Sequence, residues 1–248
     1  MSWLLNLYKT YELNLDQVGK TSPKYNGHEY TLLPISHTTQ TAHLEVYITE
    51  EGNFHSANLT DKSDANTVIP CTEDSASRAG SKIAPYPLHD KLIYVAGDFV
   101  KYGGKIKKEE PYSYYINQLK EWANSPFSVS KIKSIYIYLS KRKLIEDLIN
   151  VGILHTDSKG NLINQWDKEA ERHLIEKPPI FSRVTGDLDS TFIRFTVRST
   201  NKVLSPIWKD PIVYESFIQF YDNMSGKSDY CYVTGKEMPS TSKHANKN

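Results

Sequence analysis

The chain has 248 residues, 30 basic against 29 acidic, with 39% hydrophobic and 12% aromatic side chains. That composition excludes intrinsic disorder, and the near-neutral balance excludes the strongly basic profile of an isolated DNA-binding domain. Cys71 and Cys231 stand far apart with no CxxC partner, which excludes a disulfide framework or cysteine zinc site and suits a reducing cytosol.

Trp3, Leu4, Leu7, Tyr8 and Tyr11 recur at helical spacing behind Ser2, a suitable N-cap, so residues 1–15 read as a short amphipathic helix. The segment has neither the basic region nor the cleavage site of a signal peptide, and no apolar run is long enough to span a membrane. A soluble, unexported protein is expected. After a Gly-, Pro- and Asn-rich turn (19–27), Tyr30–Ile35 is strand-like. Ala42–Thr49 alternates through Leu44, Val46 and Ile48, Glu50-Glu51-Gly52-Asn53 turns the chain, and Phe54–Leu59 returns it as a hairpin. Thr67–Ile69 is a further strand halted by Pro70.

Residues 71–90 form a long polar loop, and ordered loops of that length are often functional. Ser75, Ser77, Arg78, Ser81 and Lys82 surround Gly80, which lets backbone approach a phosphate or groove floor closely. The alternative is a solvated Ser-rich loop. Leu92–Phe99 resumes apolar structure, and Lys101–Lys108 is a Gly-containing basic turn.

The second half is more helical. Glu109, Glu110 and Pro111 start a helix whose face is Tyr112, Tyr115, Ile116, Leu119 and Trp122 or Ala123, and Pro126 ends it. Ser128 or Ser130 starts another, with Ile132, Ile135, Tyr136 and Leu139 inward, although Ile135–Leu139 is also β-prone. The apolar face then rotates to Leu144, Leu148 and Ile149, which predicts a break near Lys141–Lys143. A turn follows at Asp157–Asn161. Thr191–Arg198 alternates, with Phe192, Arg194, Thr196 and Arg198 opposite Ile193, Phe195 and Val197. Asp210-Pro211 opens a last helix striped by Val213, Phe217, Phe220, Tyr221 and Met224, with Gly226 past its end, and Tyr230–Val233 reads as a strand.

Two basic clusters could track a phosphate backbone: Lys101, Lys105, Lys107 and Lys108, offset by Glu109 and Glu110, and Lys131, Lys133, Lys141, Arg142 and Lys143, with no acid between Lys131 and Lys143. The seventeen tyrosines fit base-stacking surfaces or ordinary strands. Phosphate-loop, GxSxG and HExxH motifs are missing, and the histidines lack ligand-like spacing. Asp187 and Asp189 could form half of a metal-dependent nuclease site, or serve turn chemistry. The residues therefore give no catalytic site, no metal site and no cofactor.

The runs YTLLPISHTTQTAHLEVYITEEGNFHSA (30–57) and VIPCTEDSASRAGSKIAPYPLHDKLIYVAGDF (68–99), with IYIYLSKRKLIEDLI (135–149), FIRFTV (192–197) and CYVTGKE (231–237), together resemble the N-terminal region of the large subunit of subtype I-C CRISPR Cascade, the Csd family. Members of the family are longer, so the resemblance implies a piece that lacks the family's C-terminal half. It also implies a non-catalytic, cytoplasmic, prokaryotic protein that binds double-stranded target DNA at the protospacer-adjacent motif. Its implied partners are the guide-RNA ribonucleoprotein subunits of Cascade and a recruited helicase–nuclease, while base pairing reads the target. In that setting the 71–90 loop becomes the first choice for motif contacts, with Gln40, Asn53 and His55 of the neighbouring hairpin second. The expected fold is α+β: a sheet-rich region over 1–108 carrying the loop, then a helix-rich region with late strands over 109–248, as two regions or as one continuous domain. The rival readings are a metal-dependent nuclease and a purely structural, protein-binding subunit.

Overall fold

The computed structural model describes residues 3–23, 29–78, 82–106, 108–174, 176–199, 206–224 and 228–240. In chain order the elements are α1 (Trp3–Glu12), β1 (Thr21–Pro23), β2 (Glu29–Thr31), β3 (His37–Thr41), β4 (Leu44–Thr49), β5 (Phe54–Leu59), β6 (Asn66–Pro70) and α2 (Glu73–Ala76). Next come β7 (Asp90–Lys91), α3 (Leu92–Val95), α4 (Pro111–Asn124), α5 (Ser130–Ser140), α6 (Leu144–Asn150) and α7 (Lys168–His173). The last are β8 (Phe192–Arg198), α8 (Pro211–Met224), β9 (Ser228–Tyr230) and β10 (Glu237–Pro239). Helices and several small sheets make the expected α+β fold.

The central sheet runs β5-β4-β8-β7, with β4 antiparallel to β5 but parallel to β8. Register sets Leu44, Val46 and Ile48 opposite Ile193, Phe195 and Val197, so six apolar side chains share one face. Against them pack Leu119 and Trp122 of α4, Ile132 and Ile135 of α5, Ile145 and Leu148 of α6, and Phe217 of α8 in one continuous core. Burying a side chain of this kind contributes about 1.5–3 kcal/mol. The Trp122 indole N–H donates to Ser216 at 3.0 Å, so the largest core ring brings no unpaired donor with it. The other sheet face is polar along β8 and lies under the β3–β6 pair, where Arg194 reaches Thr67.

The hairpin over 44–59 forms as expected. Gly52, at φ +72°, turns it, and a Cβ there would lie 2.9 Å from the Ser134 carbonyl and closer still to Ile137, so the tip is pressed onto α5. Two strand expectations are corrected. Over 30–35 only the short β2, paired with β1, and a bridge from Leu32 to Val18 form, and the longer strand lies further on at His37–Thr41, paired with β6. Residues 231–234 form the turn between β9 and β10 rather than a strand. The apolar stripe of α1 contributes no buried residue, with Trp3 71% and Leu7 57% exposed. Ser2 and Gly226, read as helix caps, lie outside the described residues.

Two histidines make stability pH-dependent. Burial pushes His37 down to about 4 and His89 down to about 3, and neither Nε2 has a partner among the described residues. A base whose folded pKa is depressed stabilises the fold above its unfolded value near 6.5, and that contribution is lost as pH falls towards the folded value. Between pH 7 and pH 5 the two together are expected to cost about 4 kcal/mol. Urea midpoints at the two pH values measure this, and a flat profile contradicts it.

Candidate nucleic-acid interface

The 71–90 loop is built from the inside. Thr72 caps the short α2 in a reciprocal capping box with Ser75, so the buried Ser75 hydroxyl serves the loop's own backbone. Ser77 Oγ donates to the Glu73 carbonyl at 2.7 Å. Arg78 turns inward. Its guanidinium forks onto both oxygens of Asp90 (2.9 and 3.2 Å) and donates to the Ala84 carbonyl, and its carbon sits 4.6 and 4.7 Å from the ring centres of Tyr86 and Tyr94. Asp90, with no accessible surface, also accepts the N–H groups of Tyr86 and Lys91. Burial pushes its carboxyl upward, and Arg78 and those two donors oppose that. Arg78 is thus the staple that closes the loop. Lys82, half exposed, pairs with Asp74 at 2.5 Å, and Gly80 and Ser81 lie outside the described residues. Gln40, on β3, donates to the Tyr86 hydroxyl at 3.4 Å, which ties β3 to the same loop.

The second basic cluster divides. Lys131 is bound to Asp210 at 2.6 Å. Lys133 is exposed with no ion pair among the described residues. Lys141 Nζ donates to the Gly52 carbonyl (2.6 Å) and to Asn53 Oδ1 (2.7 Å), fastening the hairpin tip to the end of α5. Arg142 follows in the left-handed region at φ +53°, the position past a helix end where glycine is usual. A non-glycine residue there costs about 1–2 kcal/mol. Tyr112 supports the conformation with its ring 4.8 Å below the guanidinium, and Glu110 approaches at 3.7 Å. Lys143 stays half exposed, 3.4 Å from Glu146. Asp98 accepts the first free N–H groups of α6, from Ile145 and Glu146, and so fixes the second helix of the junction. Lys101 of the other cluster pairs with Glu146, and Lys107 lies outside the described residues.

The structure therefore brings Asn53 together with Lys141, and with them Arg142 and Lys143 of the same junction, and keeps the 71–90 loop as a separate unit. His55, exposed on β5 at a register shift against β4, contacts Arg198 rather than the hairpin tip. Alternation puts Arg198 on the side of β8 shared with Phe192, Arg194 and Thr196, all three buried, so its exposure at the strand's end is not legible in the pattern.

Asp187 and Asp189 line a cavity of about 820 Å³ with Lys105, Glu169 and Arg172. The Asp187 carboxylate accepts from Gln165, and the Asn164 side chain accepts the Asp189 N–H, as turn chemistry requires. Burial, then the neighbouring Asp187, pushes the Asp189 carboxyl upward. Among the described residues no three His, Cys, Asp or Glu side chains converge as a metal site.

Fold and surface together define an α+β protein of balanced charge with three consecutive cations at one hairpin and helix junction. The chain belongs to the CRISPR-associated protein family Cas_Csd1, whose family model matches residues 7–248, and so is a Cascade-type CRISPR subunit. A search of curated proteins gave no match. Among the described residues no helix is long and apolar enough to cross a membrane.

Proposed function

We propose that this chain is a non-catalytic piece of the type I-C Cascade large subunit, working in the prokaryotic cytoplasm, that meets double-stranded target DNA at the protospacer-adjacent motif. The observation that carries the reading is the junction Lys141-Arg142-Lys143. Three consecutive cations stand beside a clamped hairpin, and the strained backbone at Arg142 is the kind of local cost that functional sites retain. Lys133, Arg142 and Lys143 hold phosphates with Asn53 next to them, and His55 stands apart on β5 against Arg198. The 71–90 loop offers Ser77, Gly80, Ser81 and Lys82 to the motif, while Arg78, Ser75 and Gln40 hold its shape. Guide-RNA-bearing subunits dock on the same piece and supply most of the charge neutralisation, and a helicase–nuclease joins the assembled complex. The sheet-rich region 1–108 then carries the reading loop, and the helix-rich region 109–248 the cationic junction.

The test is binding to short duplexes with varied flanking trinucleotides, by the chain alone and in a reconstituted complex, at several salt concentrations. For Lys133→Ala/Lys143→Ala, affinity should fall for every duplex and the salt slope should shrink by about 2, one per lost phosphate contact. Lys82→Ala should flatten the preference among trinucleotides and shift the slope by no more than about 1. Equal binding by all three proteins to all duplexes would reduce the piece to a scaffold that touches protein alone.

A further inference from the structure

We propose that Arg198, oriented by His55, is a phosphate contact on the polar face of the central sheet, an inference that rests on the nucleic-acid reading above. The argument is one of charge balance along a strand. Arg194, Thr196 and Arg198 point to one side of β8, and the parallel register sets Glu45, Tyr47 and Thr49 opposite them. Glu45 neutralises Arg194 at 2.7 Å and accepts from Thr196 at 2.9 Å. Two residues further on the opposing side chain is a threonine, and the neutralisation stops.

Arg198 is exposed, and no carboxylate lies within 4.0 Å of it among the described residues. Its one side-chain partner there is His55, whose Nε2 takes a guanidinium N–H. An arginine is donor-only, so that nitrogen holds a lone pair and the imidazole proton sits on Nδ1. The contact orients the guanidinium without discharging it. Four of its five N–H groups remain for an oxyanion, whose geometry the planar fork matches. Glu51, at the hairpin tip, is held below its usual range by the Thr49 hydroxyl and its own N–H, with no cation among the causes.

The other described arginines differ. Arg78, Arg142, Arg183 and Arg194 each have a carboxylate within 4.0 Å, and Arg172 lines the cavity beside Glu169, Asp187 and Asp189. Arg198 alone of these combines exposure, an orienting histidine and no carboxylate within 4.0 Å among the described residues. A phosphodiester oxygen is the acceptor such a group takes, and the contact carries no sequence information.

The experiment compares wild type, Arg198→Ala, Arg198→Lys and His55→Gln in the reconstituted complex, titrating one short mixed-sequence DNA duplex at several salt concentrations. Thermal midpoints check that each variant is folded. Arg198→Ala should weaken binding about threefold to tenfold for every flanking sequence and reduce the salt slope by about 1. Arg198→Lys should restore the slope but only part of the affinity, and His55→Gln should keep the slope. Adding the duplex to wild type should also shift the His55 Nε2 resonance, which a purely structural pair would not show. If wild type binds and Arg198→Ala matches it in affinity and slope, this contact is overturned and the broader reading stands. If wild type binds no duplex at low salt, both fall together.

Discussion

Arg194→Ala is expected to cost about 3–5 kcal/mol of stability, the range for stranding one member of a buried ion pair. Arg194 is 2% exposed and holds two elements together. Its Nε and Nη2 donate to Glu45 at 3.1 and 2.7 Å, its Nη2 reaches Asp64 at 2.5 Å, and its guanidinium lies 3.7 Å over the Trp208 ring. Without it Glu45, 8% exposed between two strands, keeps the Thr196 and Tyr47 hydroxyls as its side-chain donors. The loss thus comes mainly from an uncompensated carboxylate, not from the missing attraction. Arg194→Met/Glu45→Gln should therefore recover much of what Arg194→Met loses, because the stranded charge goes too. Urea denaturation of the three variants decides it. An Arg194→Ala midpoint equal to wild type would mean the pair is solvated in solution.

The same residue shows where sequence reading stops. Alternation over Phe192–Arg198 correctly separated Arg194, Thr196 and Arg198 from Ile193, Phe195 and Val197, because a strand has a period of two whatever it pairs with. Nothing local says that this strand runs parallel beside β4, 149 residues away at Glu45, and an arginine among apolar residues reads as surface until that partner is known. Elements with chemical punctuation were legible: the Glu50–Asn53 turn, the helix between Pro111 and Pro126, and the break at Lys141–Lys143. Strand Tyr30–Ile35 was not, because a short apolar run does not reveal that the strand it pairs with is the three-residue β1. Of the site, the basic junction was visible as a charge run. What was hidden is that Lys131 and Lys141 are spent on Asp210 and the hairpin tip, which needed contacts 79 and 89 residues away.

Arg78 makes the sharper experimental point, since its removal should disable the 71–90 loop without revealing what the loop contacts. Asp90 is fully buried, and Arg78 is the cation that offsets it. Arg78→Ala leaves that carboxylate with the Tyr86 and Lys91 N–H groups alone, at an expected cost of about 3 kcal/mol. The two aromatic rings lose their cation at the same time, and the chain between Ser77 and Ala84 loses its anchor. Trypsin should then cut after Lys82 much faster than in wild type under native conditions. Lys82→Ala, whose exposed pair with Asp74 is worth little, should stay within about 0.5 kcal/mol of wild type. Arg78→Lys tests the fork itself: a single ammonium cannot bridge both Asp90 oxygens and the Ala84 carbonyl in one plane, so partial loss is expected. Thermal melts and a timed digest separate these outcomes. If Arg78→Ala melts and digests like wild type, the staple is dispensable, and any DNA-binding defect of that variant belongs to a direct contact. If it unfolds the loop as expected, Lys82 rather than Arg78 is the residue whose variant reports on motif reading.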